Sequence, residues 1–401
     1  MSKPLKVAVI EPIGGHGGNE FYDFGLCEAV ALKHKVFLFT CDETVLDTKV
    51  NLKTEVIKCF KGIYGKSNRF LRGLRYVLGT LYALFFCLKN RIDIVHIHYY
   101  GFSLLEKFNL KLFKLARFRV VATVHDIEPF DRFGEELSLD YDSFFNPVDA
   151  IIVHTDFSAK CLANMMDKSN FSKVIKVKSG DLDFVYNVDI EKQKAREELN
   201  LPVEKTLILF FGHIKKVKGL DLLLNAFNKV ALNNMNVCLL VVGRPWKVNV
   251  EEYFSMVDEK IKDRVLFRFD YIPNEQVNLY FKATDIVVLP YRKIYNSSLI
   301  LRSFDYGSCV LASNLETFKE FIIERETGLL FEKDNAEDLA EKLNFLLKNP
   351  SLAENIKANA KKFVESNFSR IHILKGMDRV YDFVLNTTGE GKAVLNAEQK
   401  D

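Results

Sequence analysis

One recurring pattern limits what this chain can fold into: a short apolar strand, a glycine-bearing turn, a helix, then another apolar strand. Residues 5–10 (LKVAVI) form the first strand, and the cluster Gly14, Gly15, His16, Gly17, Gly18 follows at once. Helical spacing of Phe21, Phe24, Leu26, Ala29 and Leu32 comes next, then a second strand at 35–40 (KVFLFT). Strand, helix and strand in this order build a parallel sheet. Residues 92–97, 119–124 and 150–154 repeat the theme. A second cycle opens at 206–211 (TLILFF), runs through a helix from Leu220 to Val230, and continues with strands at 237–243, 265–267, 286–289 and 310–312. Near-continuous apolar strands imply a sheet covered by helices on both faces.

Two such cycles in 401 residues predict two doubly wound, Rossmann-like α/β domains facing across a cleft. The expected domains are 1–190 and 191–388, parted by the charged stretch 183–199, with the last helix returning to the first domain. The polar residues 389–401 read as a disordered tail. In open sheets of this kind ligands bind beyond the carboxyl ends of the strands, where the strand order reverses.

Composition narrows the chemistry mainly by exclusion. A formal net charge of +3 gives no global field for nucleic acid. Seven cysteines, an odd count with no C-x-x-C pair, fit buried free thiols better than a disulfide framework or a zinc site. The N-terminal apolar run is too short for a signal peptide. No uninterrupted apolar stretch long enough to span a bilayer is read, so the expected location is cytoplasmic. One segment qualifies this. Arg69, Arg72 and Arg75 lead into an apolar and aromatic run that ends at Leu88 and is closed by Lys89 and Arg91. Residues 69–91 are expected to lie on an anionic membrane surface on the inner face of the cell membrane, the other reading being a core helix with a basic extension.

The candidate site residues sit where strands give way to helices. Gly14 and Gly15 would let the backbone approach a ligand, with the N–H groups of the next helix facing an anion. The spacing is not G-x-G-x-x-G, so a dinucleotide is not specifically indicated. His213, Lys215 and Lys218, within GHIKKVKG, crowd positive charge where a helix dipole already favours a diphosphate. His125, in the V-H-D strand end, is a candidate general base or a hydrogen-bonding partner for a sugar hydroxyl. His96 and His98 are possible acceptor-side residues. Arg292 could pair with phosphate, and Ser297, Ser298 and Leu299 would offer donors at a helix start, where Asn and Ser also serve as ordinary caps. No metal-binding spacing is present, so no metal or other cofactor is expected.

Taken together these motifs resemble glycosyltransferase family 4, retaining enzymes of the GT-B fold. The resemblance covers nearly the whole chain and is strongest in three segments: FFGHIKKVKGLDLLLNAF, DIVVLPYRKIYNSSLILRSFDYGSCVLASN and ETGLLFEKDNAEDLAEKL. It implies transfer of a sugar from a nucleotide-diphosphate sugar, the co-substrate, to a glycan or lipid-linked glycan acceptor in cell-surface polysaccharide or glycoconjugate synthesis. It also implies that Gly14 and Gly15 lie near the donor phosphates, that His125 is the catalytic-centre histidine, and that Lys218 grips the diphosphate. The chain departs from the pattern in places. His213 stands where the family usually has arginine, and Ile294 and Arg302 stand where many members have paired glutamates. Pro290-Tyr291-Arg292 with Ser297 and Ser298 resembles a subset with a P-Y-R…S-G segment, with Ser298 in place of its glycine. A non-catalytic relative and a nucleotide-sugar epimerase are the rival readings on the same fold.

Overall fold

A computed structural model describes residues 3–14, 18–45, 51–65, 67–128, 140–180 and 189–386. Gly15, the tail 389–401 and most of the 183–190 connection lie outside them. The chain divides into two compact units, one comprising Met1–Asp181 with Phe368–Asp401, the other Leu182–Asn367. The division therefore falls at 181/182 rather than at 190/191.

Among the described residues the first unit contains a seven-stranded parallel sheet. Its strands are β1 (Lys6–Ile10), β2 (Lys35–Cys41), β3 (Glu55–Phe60), β4 (Ile94–Tyr99), β5 (Arg119–Val124), β6 (Ala150–Val153) and β7 (Val174–Lys176). The spatial order is β3-β2-β1-β4-β5-β6-β7. β1 therefore has β2 on one side and β4 on the other, and the order reverses there. The helices used below are α1 (Asn19–Val30), α2 (Arg69–Asn90) and α3 (Leu104–Leu115). The helix Arg370–Asn386 packs on α1, and Asp378 pairs with both Lys33 and His34 at 2.7 Å.

The second unit contains, among the described residues, a six-stranded parallel sheet: β8 (Thr206–Phe211), β9 (Val237–Val242), β10 (Val265–Arg268), β11 (Ile286–Leu289), β12 (Cys309–Ser313) and β13 (Leu329–Phe331). Its order is β10-β9-β8-β11-β12-β13, so the reversal lies between β8 and β11. Leu223, Phe227 and Val230 of the helix Leu220–Asn233 pack with Ile208, Phe210, Leu239 and Val241 in its core. Every residue of β9 and β11 is buried, as continuous apolar strands require.

Three features went beyond the sequence pattern. β3 and β7 are sheet edges, half-buried and partly charged (EVIKCF and VIK), so they lack the apolar run that marks a central strand. Among the described residues of the charged stretch before the second cycle, Lys192–Glu198 is helical. Residues 69–91 depart furthest from the sequence expectation. The apolar run alone is too short to span a bilayer, yet the arginines belong to the helix itself. α2 is 22 residues long, and by length and composition it could cross a membrane.

Candidate active site

In the first unit, residues at the carboxyl ends of β1, β4, β5 and β6 form a buried polar cluster. His98 is on β4, His125 follows β5, and His154 follows β6. Tyr22 of α1 meets all three rings, at centroid distances of 5.2, 4.4 and 5.1 Å. Tyr100 stacks flat on His125 at 4.3 Å and 3°. The His125 amide donates to Tyr99 O at 3.0 Å, tying the loop after β5 to the end of β4. Its Nε2 is buried without a hydrogen-bond partner. Burial pushes the His125 pKa well down, and the neighbouring His98, His154 and His96 push it further. The ring is therefore neutral at physiological pH and suited to hydrogen bonding. His96 is also buried, 2.7 Å from the Thr123 hydroxyl through Nε2.

His98 behaves oppositely. Its Nδ1 lies 3.2 Å from Asp23 Oδ1 and 3.2 Å from Glu11 Oε2, all three side chains being buried. Burial alone would depress the ring's pKa, but hydrogen bonds to Asp23 and Glu11 outweigh it and hold the value at about 9. Asp23 is raised, first by burial and then by Glu11. Glu11, Asp23 and His98 also form a group, among the described residues, whose ligand atoms lie within 4.8 Å of one another and could hold a metal ion. His98 Nδ1 lies between the two carboxyls and is shared by both.

Gly14 rests on this cluster. A Cβ there would come within 2.6 Å of Asp23 Oδ2 and 2.7 Å of Thr40 Oγ1. Packing against these buried polar groups leaves little room for a side chain at Gly14. Gly15 lies outside the described residues.

In the second unit the predicted residues surround the reversal between β8 and β11. Gly219 N-caps the helix Leu220–Asn233, and Ser297 N-caps the helix Ser298–Asp305; neither makes a side-chain capping bond. Helix starts present N–H groups suited to an anion; at the helix Leu220–Asn233 the Asp221 carboxylate accepts from those of Asp221 and Leu222. Gly219 has φ +70°, and a Cβ there would lie 1.9 Å from Pro290 O. The close approach joins the turn after β8 to the end of β11. Lys218 donates to the Tyr291 hydroxyl at 2.8 Å. Lys215 lies 5.7 Å from the Trp246 ring centroid, and His213 meets the same ring edge-on at 6.2 Å. Leu299 is buried and backs Gly212.

Two predicted donor residues have other work. Arg292 binds Asp221 through two bonds of 2.8 and 2.7 Å, Asp334 at 2.9 Å and Lys216 O at 2.8 Å. Its guanidinium is engaged by the Asp221 and Asp334 carboxylates. Asp221 stands in the first turn of the helix Leu220–Asn233. Burial raises its pKa, but Arg292 outweighs this and lowers it, so the carboxylate stays ionised and clamped. The clamp offsets a negative charge that would repel a phosphate at that helix start. Ser298 accepts from Arg302 Nη2 at 2.7 Å. A basic residue thus occupies the second of the two positions where the resemblance would place a glutamate.

Residues 191–363 match the family model for glycosyl transferases group 1, and residues 20–173 match that for glycosyltransferase family 4. The chain belongs to the group 1, family 4-like glycosyltransferases. The D-inositol 3-phosphate glycosyltransferase of Corynebacterium aurimucosum is 25% identical to this glycosyltransferase over 356 residues, 83% of each chain. The capsular polysaccharide biosynthesis glycosyltransferase CapM of Staphylococcus aureus is 23% identical over 253 residues, 62% of this chain and 65% of that protein. Anabaena HepE, solved with UDP and glucose, superposes with a TM-score of 0.73 at 15% identity, over 94% of this chain and 99% of that one. The glycosyltransferase has the GT-B fold. Sequence spacing does not single out Tyr22, Tyr100, His154, Trp246 or Asp221. A histidine at the carboxyl end of each of three adjacent strands was the available signal for His154. The aromatic residues come from separate elements and leave no spacing to read.

Proposed function

We propose that this glycosyltransferase moves a hexosyl group from a nucleotide-diphosphate sugar to a glycan or lipid-linked glycan acceptor in cell-surface polysaccharide synthesis, with retention at the anomeric carbon and without a bound metal. The observation that carries this reading is the pair of uncapped helix starts flanking β8 and β11, bordered by His213, Lys215 and Lys218. Such a preorganised positive site stabilises the diphosphate as the anomeric bond breaks. Lys218 and Lys215 supply charge, the two helix starts supply oriented dipoles, and Arg292 keeps Asp221 from opposing them. In the first unit, neutral His125 hydrogen-bonds a sugar hydroxyl and Tyr100 holds its ring in place. Front-face attack by the acceptor hydroxyl gives retention, with the acceptor proton passing to the departing diphosphate.

The capsular relative and the structural neighbour solved with UDP and glucose support the donor and acceptor classes. The comparisons do not favour a non-catalytic relative or an epimerase. The test is to incubate the protein with labelled UDP-, GDP-, ADP- and dTDP-hexoses, with and without lipid-linked glycan acceptors, and to follow nucleoside diphosphate release and product anomeric configuration. Release that depends on acceptor, with the donor's configuration kept in the product, is the expected result. Donor binding without turnover, or donor conversion without acceptor, would overturn it.

A further inference from the structure

We propose that α2 and α3 together form a docking face for an anionic phospholipid bilayer, on which the first unit lies without spanning it. A surface helix ordinarily turns its polar side outward. α2 does the reverse. Ala83 and Cys87 are buried on its inner side, where α2 packs on β3 and Gly79 lies against the ring of Phe60. Phe70, Leu74, Leu78, Leu81, Phe85 and Leu88 form a second apolar stripe, all of it exposed. α3 lies beside it, joined by a 3.2 Å bond from Asn109 to the Tyr76 hydroxyl, and adds Leu104, Phe108 and Leu115. Phe70 is 81% exposed, Leu104 86% and Leu115 82%, values at odds with a face meant for water.

Charge selects the occupant. Arg69, Lys89, Arg91, Lys111 and Arg117 are exposed on or just beyond these helices. α2 contains no carboxylate, and the one acid of α3, Glu106, is turned back on Ser103 in a capping box. An apolar stripe bordered mainly by cations fits acyl chains beneath anionic head groups; the exposed acid just beyond α2, Asp93, accepts from the Lys6 N–H. Arg75 does not contribute, because it donates to Gly62 O at 2.9 Å. The inner stripe also decides orientation. A helix of this length could span a bilayer, but α2 would have to leave β3 to do so, uncovering Phe60. It therefore lies in the interface plane. This inference stands apart from the transfer reaction.

The test is flotation of the full chain with phosphatidylcholine vesicles, with and without phosphatidylglycerol. The protein should float with the anionic vesicles, and be released by salt but not require detergent. A Phe70→Ser, Leu104→Ser, Leu115→Ser triple variant should stay in the soluble fraction with an unchanged circular dichroism spectrum. Neutralising Lys89 and Arg91 to Gln should weaken partitioning on the order of fivefold per charge. Four outcomes would overturn the proposal: no flotation of the wild type, equal binding to neutral vesicles, resistance to alkaline extraction as for a spanning helix, or a soluble dimer that the triple variant dissolves.

Discussion

His125 takes its character from its neighbours. Packed between Tyr22 and Tyr100 and depressed by burial, it stays neutral until the pH falls below its lowered pKa. His125→Ala should therefore lower kcat about 100-fold or more, as expected for loss of a single oriented hydrogen-bonding group. The wild-type rate should show no titration of this ring between about pH 6 and 8; a pH-rate step in that window that vanishes in the variant would contradict a neutral role. Position alone made His125 legible in the sequence, because a histidine after a strand stands at the ligand-binding edge. Its stacking with Tyr100 and the opposite state of His98 were not legible. The first brings together residues that follow β4 and β5, and the second depends on Glu11 after β1 and Asp23 of α1, which meet His98 only in the fold. Arg292 shows the converse. Its place in a loop at a helix start suggested phosphate binding, and only the structure reveals Asp221 and Asp334 occupying it.

At the scale of elements, two joints hold the second unit in shape. Asp285, before β11, pairs with Arg196 and with Lys192 at 2.7 Å, and accepts the Leu207 N–H of β8 at 2.8 Å. Burial raises the Asp285 pKa, but Lys192, the Leu207 N–H and Arg196 together outweigh it, so its folded-state value lies below the ordinary carboxylate range. Its contribution is full above the unfolded pKa and is lost as pH falls through the lowered value. Asp285→Asn leaves buried Arg196 without its counter-charge and should destabilise the unit by about 3 kcal/mol. Urea midpoints should show the gap between wild type and variant narrowing in acid; a gap that is constant with pH would contradict the assignment. The second joint is Gly219. Gly219→Ala meets both a left-handed backbone and Pro290 O, and should cost about 1–3 kcal/mol from the backbone alone. Nucleotide affinity should fall with it, and a variant as stable and as tight-binding as wild type would show that the turn tolerates a side chain. Central strands were readable because burial on both faces demands apolar runs. Edge strands and the outward stripe of α2 were not, since edges carry polar residues and the sequence does not show which side of an apolar helix faces water.

For the molecule as a whole, strand order does what no motif does alone. The order reverses at β1 and β4 in one unit and at β8 and β11 in the other, and the candidate residues of each unit gather there. The alternation of strands and helices was enough to anticipate two Rossmann-like units. The division at 181/182 depends on contacts between distant segments. The central claim is that the second unit is a nucleotide-diphosphate site. Its most direct test is calorimetric titration of the purified chain with UDP, GDP, ADP and dTDP. Trp246, the one tryptophan in the chain, beside Lys215 and His213, is a built-in fluorescent reporter. One of these nucleotides should bind saturably at one site, perturb Trp246 emission, and bind about tenfold or more weakly to Lys218→Ala. Absence of binding by all four, or full affinity in Lys218→Ala, would contradict it.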